Sequence, residues 1–144
     1  MPGKSDPADA LARSRDEYLD ASSNARQFNV LRFAELTIFI TATGALMAGT
    51  FSRAAAPTTP EASLALKIAG VVVTATFWTL QERTMLYWRH FVARAAELEA
   101  ELGFRQYSTR PPEGWLGGHR VVRILFVLAL AFWVTSIVWL PGPA

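Results

Sequence analysis

Hydrophobic positions in this chain gather into three long runs, and polar positions fill the stretches between them. No charge occurs over seventeen residues between Glu35 and Arg53, over fourteen between Lys67 and Glu82, or over twenty-one from Ile124 to the C-terminus. A hydrocarbon core about 30 Å thick is crossed by roughly 20 helical residues. Phe33 and Ala34 extend the first run and residues 62–66 extend the second, so each reaches spanning length. The pattern predicts an all-α membrane protein with three transmembrane helices, at 33–52, 62–81 and 121–140.

Between the runs the pattern changes from uniformly apolar to amphipathic. Asp6-Pro7 offers a side-chain acceptor followed by a proline suited to a first helical turn. Leu11, Tyr18, Ala25 and Phe28 then fall at helical spacing along one stripe. Residues 7–51 are expected to form one helix, or two with a bend at Ser22-Ser23-Asn24, where helix propensity dips. After the second run, Met85, Trp88, Val92, Ala95 and Leu102 share one face, and His90, Arg94, Glu97 and Glu101 another. Gly103-Phe104 reads as a C-cap.

Spans 1 and 2 are therefore expected to continue into an antiparallel helical stalk, built from residues 1–32 and 82–102. A short loop at 53–61 joins these two spans. Residues 103–120, with Pro111-Pro112 and four glycines, form the return loop to span 3, and 141–144 form a short tail.

Charge fixes an expected orientation. Lys4, Arg13, Arg15, Arg26 and Arg32 precede span 1, Arg83, Arg89, Arg94, Arg105, Arg110 and Arg120 lie between spans 2 and 3, and Arg123 stands at the start of span 3. The 53–61 loop has Arg53 alone. Basic residues favour the cytoplasmic side, which puts the N-terminus and the stalk inside and the C-terminus outside a bacterial inner membrane. The pI of about 9.4 is basic, but the net charge is only +2. That gives little support to nucleic-acid binding and suits a protein facing anionic headgroups. Arg83, Arg89, Arg120 and Arg123 are the expected lipid contacts. Tyr87, Trp88, Trp115 and Trp139 are the expected interface anchors.

The chain has no cysteine, and its two histidines, His90 and His119, have no partner pattern for zinc or haem. No nucleophile triad, phosphate loop or carboxylate pair is present, so no enzyme activity, metal or cofactor is expected. The candidates are instead polar groups within the spans. Thr37, Thr41, Gly44, Ala48 and Ser52 form a strip of small or hydroxylated residues on span 1. Such a strip suits close helix packing or a pore lining. Glu35 stands at its inner end, either in an interfacial ion pair or as a cation-attracting ring. Lys67, Gly70, Thr74 and Gln81 form a comparable strip on span 2, with Lys67 expected to reach for headgroups. Span 3 has only Thr135 and Ser136 as polar members and is expected to face lipid.

Trp88, Arg89 and the following Ala96-Glu97-Leu98 resemble the pattern that follows the second span in SLATT-type small bacterial membrane effector proteins. The likeness covers residues 7–102 and leaves out span 3. It implies oligomerisation and membrane permeabilisation triggered by a cytoplasmic partner. Two functions are thus expected from the sequence. One is a homo-oligomeric ion channel or pore-type effector. The other is a non-catalytic accessory or scaffold subunit of a larger membrane complex.

Overall fold

The computed structural model describes residues 7–51, 59–109 and 117–139. Asp6, Ser52, the turn carrying Arg53, Arg110, Pro111-Pro112, Trp115 and the 141–144 tail lie outside the described residues. Three helices make up the fold: α1 (Pro7–Phe51), α2 (Pro60–Leu102) and α3 (Gly118–Trp139). All three are long and apolar enough to cross a membrane, and no strand occurs among the described residues.

Local chemistry accounts for the helix bounds. Thr59 caps α2: its Oγ1 accepts from the Ala62 amide at 3.2 Å, with Pro60 next to it and Glu61 in the first turn. At the far end Gly103 adopts φ +74°, and the Phe104 amide donates to the Glu99 carbonyl at 3.2 Å. This closes the helix with a left-handed residue that glycine adopts without penalty. α1 runs unbroken through Ser22-Ser23-Asn24. There the Ser22 hydroxyl donates to the Leu19 carbonyl at 3.0 Å instead of competing for the helical amides.

The chain divides into two compact units, one of residues 1–32 and 83–113, the other of 33–82 and 114–144. The first pairs the N-terminal part of α1 with the C-terminal part of α2. Tyr18, Ala21, Ala95 and Leu98 form its buried cluster, with Leu102 and Tyr107 packed on it. The alanines let the two helices approach closely, and Phe28 stacks against Tyr87 and Phe91 at 5.6 and 5.5 Å. Leu11, expected on the packed stripe, is instead 55% exposed.

The second unit holds the three apolar stretches. α1 and α2 run antiparallel, with Phe39 against Phe77 at 6.0 Å. α3 packs on both: Phe126 lies 4.6 Å from Phe39 and 6.3 Å from Trp78, ring to ring. Phe126 and Trp133 are completely buried, so the expectation that span 3 faces lipid holds for only part of its surface. Trp133 sits on Gly70, where a Cβ would come within 2.3 Å of the indole. Only the missing side chain lets that ring lie flat on α2. Outward-facing Ile38, Ile40, Ile68, Val72, Leu128 and Val138 are all exposed, a surface matched to hydrocarbon rather than water.

Candidate functional site

α1 presents two different faces within the three-helix unit. Phe39, Thr43 and Thr50 point inward and are buried. Thr37, Thr41, Gly44 and Ala48 are exposed, and Glu35 is half-buried. The chain's own helices thus pack on a different stripe of α1 from the one singled out by small-residue spacing. The exposed hydroxyls are satisfied locally: Thr37 donates to the Phe33 carbonyl and Thr41 to the Thr37 carbonyl, each at 2.9 Å. Among its described members the strip therefore carries no stranded hydroxyl proton into an apolar surrounding, and these are open to a neighbour.

The corresponding strip of α2 is turned the other way. Lys67, Gly70, Thr74 and Gln81 are all buried, together with Ser63. Lys67 is only 4% exposed, which replaces the expected reach toward headgroups with a place inside the unit. Thr74 and Thr50 donate to the carbonyls of Gly70 and Leu46, each at 2.7 Å. Ser136 donates to the Trp133 carbonyl at 2.7 Å. The hydroxyls of Thr43 and Ser63 and the indole N–H of Trp133 are buried without a hydrogen-bond partner.

At the opposite end of this unit Arg123 grips Glu82 with two hydrogen bonds of 2.6 Å, from Nε to Oε1 and from Nη2 to Oε2. The Trp78 indole donates to the same carboxylate at 3.4 Å. Arg123, expected to meet lipid phosphate, has a protein partner that joins α3 to α2. Arg83, Arg89 and Arg120 are exposed. Arg83 lies over the Tyr87 ring and Arg32 over the Trp88 ring, at 5.9 and 5.6 Å. Tyr87 is exposed, Trp88 half-buried, and Trp139 the most exposed of the large apolar side chains described.

In the first unit the centre is Glu99, 1% exposed. Its carboxylate accepts from the amides of Tyr107 (2.8 and 3.0 Å) and Ser108 (2.8 Å) and from the Tyr18 hydroxyl at 3.2 Å. Burial pushes the carboxyl's pKa up. The donated amide protons outweigh that and hold it below the usual carboxylate range. Burial and the neighbouring carboxylate together raise the Tyr18 hydroxyl. Nearby, Arg94 bonds Glu17 at 2.7 Å and Glu97 at 3.0 Å, and Ser14 donates to Glu101 at 2.9 Å. An open groove of about 340 Å³ is lined by Arg15, Tyr18, Leu19, Phe104, Arg105 and Gln106.

Comparison with known protein families, curated proteins and solved structures finds no match. The geometry itself is what bears on function. Sequence reasoning overlooked Glu99, Glu82, Ser63 and Trp133. A carboxylate four residues before a helix-ending glycine was the available signal for Glu99, since donors gather where the chain turns back.

Proposed function

We propose that this chain is a bacterial inner-membrane protein that self-associates through the α1 strip and forms a channel or pore-type effector. The carrying observation is the exposure of Thr37, Thr41, Gly44 and Ala48. A row of small and hydroxylated side chains that its own helices leave uncovered suits contact with further copies. Around a closed ring the same row suits a polar lining. Glu35 then lies at the inner mouth. The N-terminus and the antiparallel pair of the first unit form a cytoplasmic stalk, following the distribution of arginines. The resemblance to SLATT-type effectors favours the same reading, with the stalk as the part that senses a partner.

The absence of cysteine makes the test clean. Single-cysteine variants Thr41→Cys and Ala48→Cys should cross-link to higher oligomers in native membranes, while cysteine at exposed Val72, on α2, should not. Thr41→Leu should change conductance in planar bilayers. A single copy held by other subunits, seen by native mass spectrometry from nanodiscs, would instead make the chain an accessory subunit.

A further inference from the structure

The turn that ends α2 builds one wall of a groove. Gly103 leaves the helix at φ +74°, and Phe104, Arg105 and Gln106 then run beside Arg15, Tyr18 and Leu19 of α1. That segment is fastened at both ends. The Phe104 amide donates to the Glu99 carbonyl at 3.2 Å, and the Tyr107 and Ser108 amides donate to the Glu99 carboxylate at 2.8 Å each. Arg15, Tyr18 and Leu19, at spacings of three and four, share one face of α1. Tyr18 is held by its own bond to Glu99, and its ring lies 5.3 Å from that of Phe104. The groove between the two walls measures about 340 Å³, at the small end of ligand-site volumes. Because both walls are pinned, it exists before any ligand arrives, and binding need not order it.

The lining is apolar below and cationic at the rim. Phe104 and Leu19 are 48% and 52% exposed, so a ring and a branched chain remain open to an occupant. Arg15 and Arg105 are exposed beside them, with the Gln106 amide. Neither guanidinium takes part in an ion pair among the described residues. The nearby carboxylates have other partners: Glu99 the two amides, Glu17 and Glu97 Arg94, and Glu101 Ser14. Asp16 and Asp20 each follow a groove residue by one position and so lie about 100° further round α1. A guanidinium offers a planar fork of donors to a carboxylate and a flat face to a ring. A neutral apolar body would leave both cations unused, and an inorganic anion would leave the apolar floor bare. A flat apolar body that carries negative charge uses both.

We propose that this groove binds a small soluble aromatic anion, its ring laid on Phe104 and Leu19 and its acidic group held by Arg15 and Arg105. One wall is the segment that Glu99 pins, so an occupied groove opens there less often. The site belongs to the first unit alone. It depends neither on association through the α1 strip nor on the orientation of the chain in a membrane.

The test uses the full chain in zwitterionic nanodiscs with 2-naphthoate as the probe, titrated calorimetrically against empty discs. Naphthoate should bind saturably and slow hydrogen exchange at the Tyr107 and Ser108 amides. Neutral 2-naphthalenemethanol and ringless acetate should each bind more weakly by about tenfold or more. Arg15→Gln and Arg105→Gln should each lower the affinity for naphthoate about tenfold, the equivalent of one lost charge-assisted hydrogen bond. Phe104→Ala should lower it too. All three side chains are exposed, so helix content by circular dichroism should not change. The proposal is overturned if naphthoate shows no saturable binding beyond that of empty discs. It is overturned if naphthalenemethanol binds as tightly as naphthoate, which would mark apolar adsorption alone. Undiminished affinity in the Arg15→Gln, Arg105→Gln double variant would overturn it as well, by placing the anion at other arginines. Anionic lipid added to the discs should leave the affinity unchanged; competition would give the two arginines to headgroups and overturn the soluble ligand.

Discussion

Glu99 in the first unit and Trp133 in the second are both all but excluded from solvent, yet their polar atoms fare differently. Glu99 accepts two backbone amides and a phenol; the Trp133 indole donates to nothing. The first unit is closed by a polar knot that ties the segment after α2 back onto the helix pair. The second is closed by ring packing, with Trp133 on Gly70 and Phe126 against Phe39 and Trp78. The contrast follows from what each region has to bury. Two amphipathic helices bury a narrow stripe and need directional bonds to fix the return of the chain. Three apolar stretches have ample surface for dispersion contacts and can carry polar atoms that packing does not satisfy.

The largest expected effect follows from that packing. A Cβ at Gly70 meets three fused-ring atoms of Trp133 at 2.3 to 2.7 Å, and a fused ring cannot yield as a flexible side-chain end would. Gly70→Val should therefore cost about 3 kcal/mol, the upper part of the overpacking range, read as a fall in thermal midpoint in detergent or nanodiscs. Gly44→Ala is the control, because nothing lies within 4 Å of the added carbon. It should leave the stability of the isolated chain almost unchanged. Equal losses from both substitutions would mean that helix flexibility, not the Trp133 contact, is what Gly70 supplies.

Next comes the polar knot. Glu99→Gln keeps the shape but removes the charge that the Tyr107 and Ser108 amides face, and it should cost about 1–3 kcal/mol. Those two amides should also lose protection from hydrogen exchange. The pH dependence has a definite sign. The folded carboxyl titrates below its unfolded range, near 4.3 for glutamate, so its contribution is complete above that range. It is lost as pH falls through the lower, folded value. Acid should loosen the wild-type loop after Leu102 and have much less effect on Glu99→Gln. Identical acid profiles would remove Glu99 from the account.

The three helices were legible because uninterrupted apolar runs and their flanking amphipathic stripes are local properties of sequence. Gly103 as a cap was legible for the same reason. Which face of each span turns inward was not. A strip of small residues on α1 and a strip containing a lysine on α2 look alike in one dimension, yet the first is exposed and the second buried. The difference lies in partners on other helices. Phe39, one step from the Thr37–Thr41 strip, takes the inward position because Phe77 and Phe126 meet it there. Trp133 was hidden in a run where almost every residue is apolar, and only the absent side chain of Gly70, more than sixty positions away, explains its burial.

The smallest effect sharpens the comparison at the end of the unit that carries charge. Glu82 and Arg123 form a two-point ion pair at 2.6 Å, but the arginine side chain remains half exposed, and water or headgroups can replace its partner. Arg123→Glu should lower the thermal midpoint slightly by setting two carboxylates together, and Glu82→Arg combined with Arg123→Glu should recover most of the loss. The Arg123→Glu deficit should also shrink as salt rises, since exposed like charges are screened within about 8 Å at physiological ionic strength. The Gly70→Val deficit should not respond to salt at all, because no charge enters it. A charge-swapped pair that fails to recover, in any salt, would mean that Trp78 and the geometry of its donation to Glu82 fix this contact rather than the opposition of charges.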